Sequence, residues 1–174
     1  MTLSISVTIR HAEPDDYDRV IGSVDAWWGG RQMAGMLPRL FFTYFRPWTF
    51  VAVHDEVAIG FLAGFQSQTD PRQVYCHFIG VDPDWRGQGV GEALYQRLFV
   101  EAASRGCREV LAVTAPTNRS SIAFHTRMGF SFLPGPESDG QVPYSPDYDG
   151  PSEDRIRFRK PLLDRSERSH SIGD

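Results

Sequence analysis

The apolar residues of the N-terminal part recur first with the period of a strand and then with that of a helix. Every second residue is apolar over residues 3–9, which predicts a strand. Apolar stripes at helical spacing follow over residues 17–28 and 33–44, and Pro38 would kink or split the second of them. The chain is therefore expected to begin with one strand and two helices.

Runs rich in β-branched and aromatic residues occupy the middle of the chain. Residues 48–54 and 57–65 flank the polar pair Asp55-Glu56, which predicts an antiparallel hairpin of strands two and three. Residues 73–81 predict a fourth strand. Strict alternation divides this strand into one face with Tyr75, His77, Ile79 and Val81 and another with Cys76, Phe78 and Gly80.

Helices and strands alternate in the C-terminal part. The pattern predicts, in order, a helix from within residues 86–91 to about Ser104, a strand over 109–114, a helix over 118–128, a strand starting in 130–133, and a last strand over 155–162. Residues 134–154 are rich in proline and acidic residues and contain no Lys or Arg, so we expect a long, semi-ordered loop there.

Length and composition indicate one folded domain. The chain has 174 residues, of which 41% are hydrophobic, which suits a single domain with its own core. We place this domain at residues 3–163 and expect the polar residues 164–174 to form a disordered tail. A homodimer is left open by the sequence.

Charge and cysteine content limit the classes of partner. The formal net charge of -4 disfavours a nucleic-acid-binding or anionic membrane surface and slightly favours cationic partners. No apolar run reaches the ~18 residues of a membrane span, and the N-terminus lacks a basic leader. Cys76 and Cys107 have no metal-ligand spacing, so we expect reduced thiols, no metal site and a cytoplasmic protein.

The most informative segment is the glycine-rich stretch Arg86-Gly87-Gln88-Gly89-Val90-Gly91, between a strand and a helix. Glycines let backbone amides approach phosphate oxygens, and the start of a helix adds unpaired N–H groups and a positive dipole end. A tight turn without a ligand would also use glycine here. The segment lacks the Gly-Lys-Ser/Thr of a nucleotide-binding P-loop and the third glycine of a dinucleotide fingerprint, which points to a different phosphate-containing cofactor.

Two motifs together resemble those of the GNAT superfamily of acetyl-CoA-dependent N-acyltransferases. Arg86, Gly89 and Gly91 match its Gln/Arg-x-x-Gly-x-Gly/Ala motif, and a second match runs from Asn118 through the segment 123–130. The order of elements also agrees. The resemblance implies an α+β (mixed α/β), GNAT-like fold. It would have a central, mostly antiparallel, twisted sheet of about six to seven strands, with strands four and five splayed apart, and about four helices.

The resemblance also implies where acetyl-CoA, the expected co-substrate, would bind. The backbones of Ile79 and Val81 would bond the pantetheine amides like an added strand. The segment Arg86–Gly91, which includes Gly87, Gln88 and Val90, would hold the pyrophosphate. Asn118 and Ser121 would contact the pantetheine or the phosphoadenosine; capping of a helix is the alternative, and both roles can hold at once.

Catalysis of amine acylation needs a base for the amine proton and a donor for the departing thiolate. His77 is our candidate base, because an imidazole titrates near neutral pH and members of this superfamily often place Glu or His on strand four. A half-buried histidine bonded to nearby backbone is an equal alternative. The superfamily commonly has a tyrosine where this chain has His125, so His125, Tyr75 or solvent is left as proton donor.

The acceptor side is less defined. Trp28 and Tyr44 belong to the two helices that would roof the acceptor cleft, although packing in the core is the alternative for such aromatic residues. Asp147 and Asp149 could attract a cationic amine or simply be solvated loop charges. The sequence thus predicts transfer of an acetyl group from acetyl-CoA to a primary amine of a small molecule, by direct transfer in a ternary complex. A protein N-terminal or lysine acetyltransferase and a non-catalytic acyl-CoA sensor are the alternatives.

Overall fold

The structure is a computed structural model that describes residues 6–162. These residues form two compact units. The first contains the chain up to Gln66 together with Cys76–Glu101, and the second contains Ser67–Tyr75 and the residues from Ala102 onward. The single domain over residues 3–163 therefore stays a prediction. The first residues of the predicted N-terminal strand and the tail at 164–174 lie outside the described residues.

The secondary structure follows the predicted order closely. The α-helices are α1 (Asp16–Trp27), α2 (Leu40–Thr43), α3 (Val90–Ser104) and α4 (Arg119–Arg127). The strands are β1 (Thr8–His11), β2 (Phe50–His54), β3 (Val57–Gln66), β4 (Gln73–Val81), β5 (Glu109–Thr114), β6 (Ser131–Phe132), β7 (Glu137–Asp139), β8 (Val142–Tyr144) and β9 (Ile156–Pro161). Seven strands form one sheet in the order β1-β2-β3-β4-β5-β9-β6, and β7 and β8 form a separate pair. The predicted α+β fold is confirmed.

In the first unit, α1 packs on the β2–β3 hairpin. The hairpin turns at Asp55 and Glu56, both with positive φ (44° and 64°), which matches the twist of the flanking strands. Val20, Val24 and Trp27 of α1 enter a core with Phe61 and other buried apolar residues of the first unit. The predicted second helix is interrupted at Pro38, leaving a 3-10 turn at Ala34–Met36 before α2.

In the second unit, β5 and β9 are antiparallel over their whole length, and β6 extends the sheet beside β9. At the start of β4, the carbonyl of Arg72 accepts from the amide of Arg108 at 2.7 Å, which joins the two chain segments next to β5. Whether β4 and β5 then diverge, as the family resemblance implies, stays a prediction.

The long loop predicted over residues 134–154 contains regular structure. Residues Glu137–Asp139 and Val142–Tyr144 pair as an antiparallel hairpin, and Ser145 and Arg155 form a further bridge. Gly135 approaches the Tyr144 backbone so closely that a Cβ would overlap it. The predicted long, semi-ordered loop is therefore corrected in part: residues 137–144 form two short paired strands, whose backbone groups bond to each other.

Candidate active site

The glycine-rich turn leads from the end of β4 into α3. Gly87 and Gly89 adopt φ of 74° and 82°, a region that L side chains rarely adopt. A Cβ at either position would meet nothing within 4 Å, so the backbone conformation requires glycine and crowding does not. The first hydrogen bond of α3 joins the Ala93 amide to the Gly89 carbonyl at 2.9 Å. The outer side of this turn is open.

Arg86 fixes the turn to two other elements of the first unit. Its Nε donates to the Val81 carbonyl at 3.0 Å, and its Nη2 donates to the Trp27 carbonyl at 2.5 Å. Gln88 adds a bond from Nε2 to the Asp84 carbonyl at 2.9 Å. The turn is thus held by its own side chains, and these bonds use none of its backbone amides.

The turn can accept an anion. The first amides of a helix have no intrahelical acceptor, and the dipole of α3 adds positive potential at this end. In this chain they are the amides from Gly89 to Glu92, since the first intrahelical bond belongs to Ala93. This donor set suits a pyrophosphate and requires no lysine. Ile79 and Val81 lie on the strand leading into the turn, and both are half-buried.

His77 lies in β4 with one ring nitrogen engaged and the other available. Nε2 is 2.7 Å from the Met36 carbonyl, and its ring stacks on Phe41 with centroids 4.8 Å apart. Because a carbonyl can only accept, the proton of the neutral ring is on Nε2. Nδ1 then carries the lone pair and bonds to no residue of the described chain. The backbone-bonded alternative from the sequence is therefore realised, in a form that leaves a basic nitrogen.

Burial along β4 alternates as predicted, with Cys76, Phe78 and Gly80 buried and Tyr75, His77, Ile79 and Val81 half-buried. Gly60 and Phe61 of β3 show that α1 and α3 lie on opposite faces of the sheet, since a Cβ at Gly60 would meet Val90 and Leu94 of α3 whereas Phe61 stacks on Trp27 of α1.

Cys76 and Phe78 should share a face under strict alternation. However, Cys76 bonds to Tyr95 of α3, while Phe78 packs on Trp28 at 4.9 Å. The partners of these two side chains therefore differ, although both are buried as the predicted alternation requires. Cys76 is inert here, since burial raises the pKa of its thiol to about 12.

His125, the second candidate, is part of a buried aromatic cluster in the second unit. It is 4% exposed and stacks on Phe158 with centroids 4.6 Å apart. Nδ1 is 2.8 Å from the Ser121 carbonyl and therefore donates to it. Burial lowers the pKa of His125, and the bond to Ser121 offsets this only in part. A neutral, enclosed imidazole is a poor proton donor. The catalytic role of His125 therefore stays a prediction, whereas its packing on Phe158 is a structural role.

The other residues predicted in the second unit have defined local partners. Asn118 is the N-cap of α4, with Oδ1 accepting from the Ser121 amide at 3.2 Å. The capping explanation is thus realised, and it leaves cofactor contact by Asn118 and Ser121 as a prediction. Tyr75 is half-buried in β4 and belongs to this unit.

The two aromatic residues predicted for the acceptor side differ in exposure. Trp28 packs on Phe78 and lies over Gly80, where a Cβ would come within 2.5 Å of the indole. It is a packing residue that depends on the missing side chain of Gly80. Tyr44 is 79% exposed at the end of α2 and presents its ring to solvent.

The acidic residues after the β7–β8 hairpin bond to groups of the same loop. Asp149 and Glu153 both pair with Arg155, at 2.6 and 2.7 Å. Asp147 accepts from the Ser152 amide at 2.6 Å, and its own amide donates to Asp154 at 2.9 Å. These carboxylates already bond to groups of their own loop, which argues against a role in binding a cationic acceptor.

The first unit therefore brings together the glycine-rich turn, Trp28 and His77, and the second holds Tyr75, Asn118, Ser121, His125 and the two loop aspartates. Sequence reasoning missed Asp25, whose carboxylate accepts from the amides of Met33 and Ala34, and the Met36 carbonyl that holds His77. A backbone carbonyl has no residue-type signal, and Asp25 stands in the sequence as an ordinary polar residue of a helix.

Comparison with known proteins agrees with this geometry. The Acetyltransferase (GNAT) family matches residues 16–130, which is more than half of the chain and includes the glycine-rich turn and α4. The chain belongs to the GNAT acetyltransferase family. The resemblance inferred from the two motifs is confirmed.

Curated relatives match this GNAT chain over part of its length. L-2,4-diaminobutyric acid acetyltransferase of Nocardia farcinica is 36% identical over 75 residues, or 43% of this chain and 39% of that protein. The [ribosomal protein bS18]-alanine N-acetyltransferase of Escherichia coli K12 is 33% identical over 84 residues, or 48% of this chain and 53% of that protein. The chain thus spans about two fifths to a half of these relatives.

Solved GNAT structures share the fold over nearly the whole chain. Ard1 from Thermoplasma volcanium has a TM-score of 0.73 at 19% identity, covering 92% of this chain and 100% of that one. Diaminobutyrate acetyltransferase EctA from Paenibacillus lautus, in complex with L-2,4-diaminobutyric acid and coenzyme A, has a TM-score of 0.67 at 20% identity. This match covers 92% of the present chain and 98% of the EctA chain.

None of the helices within residues 6–162 has the length and apolar character needed to cross a membrane. The same residues hold no group of three or more His, Cys, Asp or Glu side chains that could bind a metal ion.

His125 should make the stability of the protein depend on pH near neutrality. The unfolded state takes up a proton near pH ~6.5, whereas the folded state does so only at lower pH because burial lowers the pKa of His125. The free energy of unfolding should therefore fall as the pH is lowered from about 7 to 5. In His125→Phe, which keeps an aromatic ring beside Phe158, this decline should be smaller in denaturant titrations. An equal decline in the wild type and in His125→Phe would show that His125 is not the cause of the pH dependence.

Proposed function

We propose that this GNAT protein transfers an acetyl group from acetyl-CoA to the primary amine of a small molecule, by direct transfer in a ternary complex. The observation that carries the proposal is the glycine-rich turn at the start of α3. Two glycines with positive φ, an open outer face and helix amides without intrahelical acceptors support an anion site at the position of the family motif.

The residues present fit a pyrophosphate-containing co-substrate. Acetyl-CoA would supply the thioester that the amine attacks. The amides from Gly87 to Glu92 would bind its pyrophosphate, and Arg86 would hold the turn in shape through the carbonyls of Val81 and Trp27. The backbones of Ile79 and Val81 would align the pantetheine, and Asn118 and Ser121 would add contacts from α4.

His77 would receive the amine proton at Nδ1. Its Nε2–H bond to Met36 and its stack on Phe41 fix the ring and leave Nδ1 as the acceptor. General base catalysis requires this combination of a fixed ring and a free lone pair. For the departing thiolate, exposure favours Tyr75 or solvent over the buried His125 as proton donor.

A small-molecule acceptor is the first choice, and a protein N-terminus or a lysine side chain is the second. The relative from Nocardia farcinica is named for diaminobutyric acid, and the one from Escherichia coli K12 for the alanine of a ribosomal protein. Tyr44 could cover an apolar part of either acceptor, since its ring is exposed next to the segment that carries Phe41. A protein without transferase activity that only senses acyl-CoA is the third reading.

The acceptor class can be tested with purified protein and acetyl-CoA. Release of free thiol is measured with a panel of small diamines, amino acids and aminoglycosides, and with peptides that begin with alanine or contain lysine. We expect thiol release with a small amine and a much lower kcat/KM for every peptide. Faster turnover of a peptide would favour the protein acetyltransferase, and binding of acetyl-CoA without turnover of any amine would favour the sensor.

Gly89→Glu should abolish acetyl-CoA binding. A side chain at φ 82° strains the turn, and a carboxylate there repels the pyrophosphate. Gly106→Glu is a matched control, because Gly106 has φ 78° and equally open surroundings at the other end of α3. In calorimetry the control should bind acetyl-CoA as the wild type does. Equal affinity for Gly89→Glu, in a folded protein, would place the cofactor elsewhere.

His77→Gln should lower kcat by ~10²-fold or more while acetyl-CoA affinity persists. Glutamine can still donate to the Met36 carbonyl, but it cannot accept a proton near neutral pH. The acidic limb of the pH dependence of kcat should flatten as well. A variant that retains both kcat and the limb would show that the amine loses its proton without this base, and that orientation supplies the acceleration.

A further inference from the structure

Asp25 holds the segment between α1 and α2. One oxygen of its carboxylate, Oδ1, accepts from the amides of Met33 and Ala34, both at 2.7 Å. Its backbone carbonyl accepts from the Gly30 amide at 2.8 Å. Charge-assisted bonds from one carboxylate to two amides are among the stronger hydrogen bonds in proteins. A side chain near the end of α1 thus fixes residues eight and nine positions further along the chain.

The two amides belong to the beginning of the 3-10 turn at Ala34–Met36. Within that turn the Met36 amide donates to the Met33 carbonyl at 2.9 Å, and Leu37 donates to Ala34 at 3.0 Å. The next group along is the Met36 carbonyl, which accepts from His77 Nε2 at 2.7 Å. An unbroken series of hydrogen bonds and one rigid turn therefore connects the Asp25 carboxylate with the imidazole of His77.

Backbone bonds also hold this segment on its N-terminal side, from the Gly30 amide to the Asp25 carbonyl at 2.8 Å and from the Met33 amide to the Arg31 carbonyl at 2.9 Å. Gly29 and Gly30 both have positive φ, and neither position has an atom within 4 Å of where a Cβ would be. Glycine pairs of this kind lose more backbone freedom on folding than other residues do. On the other side, Leu37 is fully buried and anchors the segment to the core. Removal of the Asp25 carboxylate should therefore loosen the turn without unfolding the protein.

We propose that Asp25 is a positioning residue for the transfer reaction: by holding the Ala34–Met36 turn, it keeps the Met36 carbonyl on Nε2 of His77 and so keeps Nδ1 free as the base. The inference rests on the proposed function, in which His77 receives the amine proton. Asp25 itself touches neither substrate nor reacting atoms in this account. Its effect is on the tautomer of His77, which is a property that can be measured without any substrate.

The test is nuclear magnetic resonance of protein labelled with ¹⁵N-histidine, at about pH 8, where an imidazole is neutral. Long-range ¹H–¹⁵N correlations report which ring nitrogen carries the proton, and the signals of His77 are assigned as those missing from His77→Gln. We expect the wild type to carry the proton on Nε2 and Asp25→Ala to show a mixture of both tautomers. Asp25→Asn, whose carbonyl oxygen can still accept from both amides, should restore most of the Nε2 tautomer.

Kinetics provide the second readout. In Asp25→Ala, kcat should fall about tenfold, less than on removal of the base itself, while KM for acetyl-CoA stays within about twofold. Asp70→Ala is the matched control, because Asp70 Oδ1 also accepts from a loop amide, that of Arg72 at 3.0 Å. The control should leave both the tautomer and kcat unchanged. Equal loss in the two alanine variants would overturn the proposal.

The outcomes separate the inference from the function on which it rests. An unchanged tautomer in Asp25→Ala overturns the positioning role even if the enzyme acetylates an amine. A changed tautomer supports it even if His77→Gln keeps its kcat, in which case the assignment of His77 as base fails instead. If Asp25→Ala does not fold, Asp25→Asn decides, because a weaker acceptor must speed deuterium exchange at the Met33 and Ala34 amides. Unchanged exchange would overturn the proposal.

Discussion

The guanidinium of Arg86 is the interaction on which the arrangement of the first unit depends. It donates to the Val81 carbonyl at the end of β4 and to the Trp27 carbonyl at the end of α1. Arginine suits this task because its planar fork reaches two acceptors at once and stays charged at every relevant pH. The glycine-rich turn could not hold its shape by packing, since its glycines have no neighbours on their open side. The Arg86 side chain therefore stabilises the glycine-rich turn, and the backbone amides of the motif remain available to a ligand.

Sequence signals were sufficient for features that depend on residues close together in the chain. The bounds of β4 and β5 agree with the apolar pattern to the residue, and Asn118 caps α4 as its position suggested. The family motif located the glycine-rich turn because glycine is required there by backbone conformation, which leaves a trace in sequence. Proline likewise marked the interruption of the second helix.

Features that depend on contacts between distant residues could not be predicted. The partners of buried strand residues have no residue signature, as for Cys76, which bonds to Tyr95 of α3, and Phe78, which packs on Trp28. The hairpin after Pro134 was missed because composition describes solvation, whereas pairing of short strands depends on register. His77 and His125 look alike in sequence, yet one keeps an available nitrogen and the other is enclosed by aromatic rings, with burial lowering its pKa.

The acidic loop shows why the charge of a segment does not identify a partner. Residues 134–154 contain no positive side chain, so their composition suggested a surface that would attract a cation. Arg155 follows directly, and its guanidinium pairs with Asp149 and Glu153, while Asp147 and Asp154 bond to backbone amides of the same turn. Arg155 offsets one of these negative charges, and salt screens the field of the others beyond a Debye length of about 8 Å. Under the proposed function, His77 with its available Nδ1 and Tyr44 with its exposed ring are therefore better candidates to meet an amine than the acids of this loop.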